Sequence, residues 1–121
     1  MASKDAHKVY VAPIRAELET LAALGTLTYY KDLGAIVGKP ARWTLWKTIL
    51  DEIGCEKPDL TIIVLNAKTG WPSQIGYKAT GGKPSVEQKE FAQGELARVF
   101  QKYCPSRPVP KFPVKRKSQA S

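Results

Sequence analysis

The sequence predicts a mainly helical α+β domain, and three observations point to this class. The chain has 121 residues, 43% of them hydrophobic, which suffices for the core of one small domain. Apolar residues recur at helical spacing in four segments, each ended by glycine or proline. One β-rich run, residues 61–65, lies between the third and the fourth segment. We therefore expect a flexible N-terminus over residues 1–8, one domain over 9–104, and a Pro-rich, basic, disordered tail over 105–121.

The first two predicted helices are defined by their apolar spacing and their end residues. Residues 12–24 place apolar side chains every three or four positions, and Pro13 suits a first turn because its missing N–H leaves no hydrogen bond unmade there. Residues 30–38 form a second, short helix. Asp32 lies in its first turn, where a carboxylate is favoured by the helix dipole, and Gly38 is a good residue to end it.

The third predicted helix, residues 40–53, begins at Pro40 after a two-residue break. Its apolar stripe comprises Leu45, Trp46, Ile49, Leu50 and Ile53. The opposite face carries Thr44, Lys47, Thr48 and Asp51. A short helix, a turn that contains glycine and a longer helix form the plan of a helix-turn-helix. The same pattern also suits three core helices that bind no ligand.

A small β-hairpin is predicted after the third helix. Residues 61–65 are rich in β-branched side chains, residues 66–73 contain glycine and proline, and residues 74–79 are the candidate for a returning strand. A hairpin that follows a helix-turn-helix in this way has the position of a wing.

The last predicted helix covers residues 86–103. Ser85 and Gln88 have the spacing of a capping box, which satisfies free N–H groups at the start of a helix. Its apolar face comprises Phe91, Leu96, Val99, Phe100 and Tyr103. The predicted architecture is therefore a winged helix-turn-helix with a small β-hairpin wing and a C-terminal helix.

The net charge of +8 is concentrated in the tail. All 11 acidic residues lie at or before Glu95, whereas the basic residues continue with Lys102, Arg107, Lys111, Lys115, Arg116 and Lys117. The rest of the chain is nearly neutral. A flexible cationic arm gains affinity for any polyanion by releasing counterions, although the same residues would also suit a solubilising or targeting terminus.

Several functional classes find no support in the sequence. The apolar runs are far shorter than the roughly 20 residues of a membrane span. The N-terminus has no apolar signal core, which favours a cytoplasmic, nucleoid-associated protein with no membrane partner. Two cysteines and one histidine provide no zinc quartet, and the glycine pair at residues 81–82 lacks the spacing of a phosphate loop. We expect no metal, no cofactor and no small-molecule substrate.

The order of these motifs from residue 28 to about residue 96 resembles the C-terminal winged-helix domain of alkylguanine-DNA alkyltransferases and of the alkyltransferase-like proteins. That family has a TYxxLA helix start, a GxP turn, an ARAVG recognition helix and a PCHR or PWHR site, followed by a glycine turn, a Gly-Gly segment and a closing helix. The counterparts here are TYYKDLG at 28–34, VGKP at 37–40, ARW at 41–43, PDLTII at 58–63, NAKTG at 66–70 and GG at 81–82.

The resemblance implies a winged-helix fold and DNA binding, but not alkyl transfer. Asp59 stands where the family has its nucleophilic cysteine, and Leu60 and Thr61 stand where it has histidine and arginine. A methyl-accepting thiolate needs a base that lowers its pKa, and both groups are missing here. We therefore expect a protein that is not an enzyme, and the resemblance does not imply a pocket for a damaged base.

Two candidate DNA contacts come from the resemblance. Tyr30 matches the family's tyrosine near the displaced base, and its alternative is a place in the core. Arg42 matches the arginine that enters the duplex in place of a flipped base. The alternatives for Arg42 are a phosphate contact and a snorkelling side chain at the edge of the apolar stripe.

Other candidate contacts come from the residues themselves. Trp43 is either a stacking wedge or part of the core. Lys68 and Trp71 would lie on the wing, near a phosphate and a base respectively, unless Trp71 folds beneath the hairpin. The remaining candidates are polar groups of the third helix and basic groups of the tail: Thr44, Lys47, Thr48, Arg107, Lys111, Lys115, Arg116 and Lys117.

The leading hypothesis is a non-enzymatic protein that binds double-stranded DNA with its helix-turn-helix, wing and tail. DNA-repair sensing and regulation of mobile-element DNA both agree with it. The rival is a protein-interaction module that docks on a larger nucleic-acid enzyme through Trp43 and Trp71. A third hypothesis, a metal-dependent site built from Asp59 with Asp32 or Glu95, has no recognised carboxylate spacing behind it.

Overall fold

The computed structural model describes residues 7–40, 43–67, 69–72 and 84–114. Within these ranges the fold is α+β and mainly helical, as the sequence predicts. The elements in chain order are α1 (Lys8–Ala23), β1 (Thr28–Tyr29), α2 (Tyr30–Val37), α3 (Trp46–Ile53), a 3-10 helix (Leu60–Ile63), β2 (Val64–Leu65) and α4 (Val86–Tyr103). None of these helices combines the length and the apolar composition that a membrane span requires.

Helix α1 packs against α2, α3, α4 and the 3-10 helix. Ile14 and Leu18 are fully buried, as the helical spacing predicts, and Ala22 is buried with them. Leu21 and Leu24, which have the same spacing, are half-buried and 54% exposed respectively. The helix starts earlier than predicted, so Pro13 lies inside it and not in its first turn. The fold tolerates this because Pro13 is exposed, and water can bond the carbonyl oxygen that a proline leaves without an N–H donor.

The prediction of a flexible N-terminus over residues 1–8 is wrong for its last two residues. His7 is buried, and its Nε2 lies 3.6 Å from Oε1 of Glu52 on α3. Lys8 is the first residue of α1. The other residues of this predicted segment, 1–6, lie outside the described ranges.

Helix α2 has the predicted bounds, whereas α3 begins six residues later than predicted. Gly38 ends α2 with φ +70°, a left-handed conformation that glycine adopts without strain. The predicted two-residue turn is wrong, because the connection to α3 spans residues 38–45. Indole packing explains the late start: Nε1 of Trp46 donates to the carbonyl oxygen of Pro40 at 2.9 Å, and Trp43 packs on the Trp46 ring.

The predicted strand 61–65 is wrong for its first three residues. Leu60–Ile63 form a 3-10 helix, and only Val64–Leu65 are extended. The carboxylate of Asp59 accepts hydrogen bonds from the backbone N–H and the hydroxyl of Thr61. A cap of this kind starts a helical turn, and here it outweighs the β-propensity of the run.

The short strands form a two-stranded parallel sheet, with Thr28 opposite Val64. After β2 the chain turns, and Leu65 makes an antiparallel bridge with Pro72. The returning strand predicted at residues 74–79 lies outside the described residues. The sheet that is described therefore pairs β2 with the strand before α2, and the hairpin wing stays a prediction.

Helix α4 begins with the predicted capping box: the N–H of Gln88 donates to Oγ of Ser85 at 3.1 Å, and the Gln88 side chain accepts from the Ser85 N–H at 2.7 Å. Four of its apolar side chains are buried: Ala92, Leu96, Val99 and Phe100. Phe91 does not join them as predicted, since it is 47% exposed. The buried position one turn further on is taken by Glu95.

Substitution of two helical glycines should have opposite effects on stability. In Gly34→Ala the new methyl group would overlap the carbonyl oxygen of Lys39, so the turn after α2 must shift, at a net cost of about 1–3 kcal/mol. Gly94→Ala is the control, because its methyl group meets only the flexible Arg98 side chain and should stabilise α4 by about 0.5–1 kcal/mol. Urea unfolding of both variants measures this; equal effects would contradict the packing described for Gly34.

Candidate nucleic-acid interface

The exposed face of α3 carries the polar groups that the sequence predicts for it. Lys47 and Thr48 lie exposed in its first turn, and Thr44 lies exposed just before the helix. Nζ of Lys47 is 2.9 Å from Oδ2 of Asp51, one turn further on. Both side chains are more than half exposed, so the pair is worth less than about 1 kcal/mol. Lys47 can therefore exchange Asp51 for another anion at little cost.

Trp43 belongs to an aromatic cluster and is not an exposed wedge. Its ring packs edge-on against Tyr10 and Trp46, with centroid distances of 4.7 and 5.3 Å. The ammonium of Lys39 lies 5.4 Å from the Trp43 ring centroid, a cation–π contact. Tyr30 packs on the other indole of the cluster at 5.8 Å. Both predicted contacts, Trp43 and Tyr30, are thus half-buried, and their rings join the starts of α2 and α3.

Trp71 lies against the C-terminal tail. Its ring centroid is 5.2 Å from that of Phe112, and the two planes are inclined by 36°. The ammonium of Lys89 lies 6.0 Å from the same indole. Both indoles that the protein-interaction hypothesis needs as anchors, Trp43 and Trp71, are therefore half-buried and pack within the chain.

The described part of the tail, residues 105–114, lies against the domain. The side chain of Gln93 donates to the carbonyl oxygen of Pro110 at 2.8 Å and accepts from the N–H of Phe112 at 3.0 Å. Where the sequence predicts a disordered arm from residue 105 onward, the structure has a segment held to α4. Two predicted contacts, Arg107 and Lys111, are exposed on this segment.

The last described residue of the tail, Val114, is held by two hydrogen bonds. The N–H of Val114 donates to the carbonyl oxygen of Gly70 at 2.9 Å. The hydroxyl of Tyr29 donates to the carbonyl oxygen of Val114 at 3.1 Å. Tyr29 is the last residue of β1 and immediately precedes α2, so the last described residue of the tail is held to β1 and to the turn at Gly70.

Five predicted contacts lie outside the described residues: Arg42, Lys68, Lys115, Arg116 and Lys117. The sequence patterns in turn missed the three residues that hold the tail, Tyr29, Gly70 and Gln93. The contacts of Gln93 span 17 and 19 residues, and that of Tyr29 spans 85. A pattern confined to a window of one helix or strand contains no signal for such contacts.

Asp59 and Glu95 lie together, as the metal-site hypothesis requires, but both are committed to structure. Oε2 of Glu95 accepts the backbone N–H of Asp59 at 2.8 Å, and Oε1 pairs with Nη1 of Arg98 at 2.8 Å. The Asp59 carboxylate caps the 3-10 helix through Thr61. The described residues contain no group of three or more His, Cys, Asp or Glu side chains that could hold a metal ion.

Burial raises the pKa of the Asp59 carboxyl above its ordinary value. Desolvation is the largest cause, and it outweighs the hydrogen bonds from Thr61 and the attraction of Lys57, which lower the pKa. The nearby Glu95 carboxylate adds a smaller upward contribution. Ionisation of the Asp59 carboxyl therefore costs more free energy in the folded chain than in the unfolded chain.

Residues 58–63, which resemble the alkyltransferase site in the order of motifs, contribute to the core here. Leu60 and Thr61, which the resemblance aligns with that family's histidine and arginine, are both buried. Neither cysteine lies in this segment. Cys55 is exposed and its Sγ donates to the carbonyl oxygen of Asp51 at 3.3 Å, and Cys104 is buried after α4.

Comparison with known proteins finds no relative. No protein-family model matches the chain, no curated protein is similar to it, and no solved structure matches it. A functional proposal therefore stands on the residues and contacts described above.

The Gln93→Ala substitution should release the tail. It removes two hydrogen bonds, together worth about 1–2 kcal/mol, so the detached population should rise roughly tenfold. Limited trypsin digestion followed by mass spectrometry measures this as faster cleavage after Lys111. Cleavage after Lys117, beyond the last described contact, serves as the internal reference. Gln101→Ala on the same helix is the control, and equal acceleration by both variants would contradict the docked tail.

The Asp59→Asn substitution should affect stability in a pH-dependent way. Since the pKa of Asp59 is raised in the folded chain, the native state binds its proton more tightly, and stability falls as the pH rises through the raised pKa. Asn keeps an oxygen acceptor for Thr61 but has no charge. The Tm of the variant relative to the parent should therefore be higher at pH 7 than at about pH 3.5.

Asp59→Ala separates the charge from the cap. It removes the acceptor as well as the charge, so it should be less stable than Asp59→Asn by the roughly 1 kcal/mol of a lost cap, with a lower Tm than that variant at both pH values. A Tm difference between Asp59→Asn and the parent that is independent of pH would show that burial does not disfavour the carboxylate.

Proposed function

We propose that this protein binds double-stranded DNA and does not act on it as an enzyme. The binding surface comprises the exposed face of α3, the start of α2 and the basic tail. The observation that carries the proposal is the pair of hydrogen bonds that hold Val114, one to Gly70 and one from Tyr29. They hold the described end of the basic tail at the side chain of Tyr29, the residue that precedes the first helix of the predicted helix-turn-helix.

The charge distribution supports a polyanionic ligand. No acidic residue follows Glu95, and Lys115, Arg116 and Lys117 are consecutive. Duplex DNA carries one negative charge about every 1.7 Å along its axis, so neighbouring cations on a short segment displace several condensed counterions. Because the segment starts from a fixed point, less chain entropy is lost on binding than for a free arm.

The α3 face adds groups of a second kind. The hydroxyls of Thr44 and Thr48 and the ammonium of Lys47 can donate to phosphate oxygens or to base edges. In a helix-turn-helix the second helix lies in the major groove and the first crosses the backbone. This geometry would put α3 in the groove and the attachment point of the tail over the phosphates.

The contact surface on α3 is confined to its N-terminal half. Lys47 and Thr48 lie in that half, whereas Asp51, which repels phosphate, lies one turn further on. The long connection from α2, residues 38–45, also differs from the three or four residues of a compact helix-turn-helix. Shallow insertion of the start of α3 agrees with both features.

The winged-helix architecture and the alkyltransferase-like resemblance are part of this proposal. Burial of Leu60 and Thr61 supports a domain of that general kind in which the reactive segment has become a core element. Asp59, at the nucleophile position, serves as a helix cap. The proposed role is therefore recognition of DNA, for repair sensing or for regulation of mobile-element DNA.

Binding of a fluorescent duplex should depend steeply on salt. We expect the affinity to fall by orders of magnitude between about 50 and 200 mM salt, as for any protein that neutralises several phosphates. Neutralising the tail with Lys115→Gln, Arg116→Gln and Lys117→Gln should reduce the slope of log K against log salt by about 2 to 3. Fluorescence anisotropy at several salt concentrations measures both quantities.

An Asp51→Asn variant tests whether α3 takes part. It removes a negative charge beside Lys47 and should tighten duplex binding severalfold at low salt. Glu87→Gln makes the same charge change at an exposed position of α4 and should have a smaller effect. Equal tightening by both variants would exclude α3 from the interface, and absence of binding at micromolar protein would refute the proposal as a whole.

A further inference from the structure

A shallow groove of about 560 Å³ runs along one flank of α4. Its lining residues on the helix follow each other at intervals of about one turn: Phe91, Glu95, Arg98 and Lys102. Lys57 and Pro58, from the loop before the 3-10 helix, form the other wall. Gln93, which holds the tail, lies about 180° around the helix from this stripe. The groove and the docked tail therefore occupy different flanks of α4.

The floor of the groove is apolar. The Phe91 side chain is 47% exposed, although its spacing on the helix is that of a core residue. Pro58 stands half-buried beside it. A phenyl ring that is half in water at the bottom of a groove would gain free energy if an apolar side chain covered it.

The rim of the groove is cationic. Lys57 and Lys102 are exposed, and the Arg98 side chain is 64% exposed. The lining also includes the carboxylate of Glu95, but that group is only 4% exposed and is balanced by Arg98 and the N–H of Asp59. The groove thus presents a net positive rim around an apolar floor.

We infer that this groove binds a short acidic segment of a partner protein, in which apolar side chains alternate with Asp or Glu. An apolar side chain covers Phe91 and Pro58, and flanking carboxylates pair with Lys57 and Lys102. Complementary charge sets the orientation and speeds the encounter, while the apolar contact provides most of the affinity. This site does not depend on the proposed DNA binding.

A protein segment fits the groove better than a nucleic-acid backbone does. A phosphodiester chain has no apolar group with which to cover Phe91. Glu87 and Glu90 are exposed on α4 within one turn of that ring, and they would repel phosphates that continue in this direction. A peptide can place a neutral or basic residue at that end and its carboxylates at the Lys102 end.

The test measures anisotropy of fluorescein-labelled peptides with the full chain. The first probe, of about ten residues, alternates Leu and Phe with Glu and Asp; the second has Ser in place of Leu and Phe, and the third has Lys in place of Glu and Asp. We expect a Kd in the range of about 1–100 μM for the first probe, as for small interfaces, and binding at least about tenfold weaker for the other two.

Variants with matched controls locate the site. Phe91→Ser should weaken the first probe about tenfold, whereas Val86→Ser, at an apolar residue that is 66% exposed on the Gln93 side of α4, should not. Lys57→Gln with Lys102→Gln should weaken it to a similar degree, whereas Lys31→Gln with Lys111→Gln removes the same charge elsewhere. All these positions are exposed, and circular dichroism confirms that each variant is folded.

Three outcomes would overturn the inference. The first is no binding of the first probe at millimolar peptide, and the second is equal loss in the groove variants and their controls. The third is that the Ser probe or a single-stranded oligonucleotide binds more tightly than the first probe, and that Phe91→Ser weakens this binding as well. The groove would then be a site for anions or for nucleic-acid bases. Duplex binding is measured in parallel; it should persist in Phe91→Ser, so failure of one proposal is visible apart from the other.

Discussion

The buried carboxylate of Glu95 connects the two halves of the fold. It is 4% exposed, yet both oxygens are engaged, one by the N–H of Asp59 and the other by Arg98. A buried charge without such partners is strongly destabilising, so α4 can pack with Glu95 inside only if the loop before the 3-10 helix stands where it does. Asp59 then caps that helix through Thr61, and the helix leads directly into β2, beside β1.

The two-stranded sheet connects the 3-10 helix to the residues that hold the tail. Because β2 pairs in parallel with β1, Tyr29 leaves β1 next to the turn at residues 66–70. Tyr29 and Gly70 hold Val114 from two directions, while Gln93 holds the tail from α4. The proline and basic residues of the tail, considered without the rest of the fold, predict a flexible arm. Contacts from three residues far apart in the sequence, Tyr29, Gly70 and Gln93, make its first ten residues part of the domain.

Elements with local signals could be predicted from the sequence, and elements set by distant contacts could not. The start of α4 follows from the capping box at Ser85, and the end of α2 from the left-handed Gly38. The start of α3 does not follow from Pro40, since packing and hydrogen bonding of Trp46 keep the preceding residues in a turn. The start of the β-rich run is helical because Asp59 caps this turn. The free energy of one such cap is similar in size to differences in β-propensity, so an average over a window of sequence does not predict which of the two prevails.

The two flanks of α4 also depend on contacts between residues that are distant in the sequence. Periodicity predicts Phe91 in the core, whereas Trp71 is predicted either on the surface of a wing or beneath the hairpin; the structure exposes Phe91 and packs Trp71 against Phe112. A helix of this length buries a limited arc, and Glu95 occupies the part of it next to Phe91. Because the Glu95 carboxylate is buried and the Phe91 ring is exposed, the groove side of α4 presents an apolar ring among cationic side chains. The opposite side of α4 holds the tail. Under the two proposals, the positive charge of the chain serves a DNA surface and a peptide groove on different flanks of the fold, so a polyanion on one need not compete with an acidic peptide on the other.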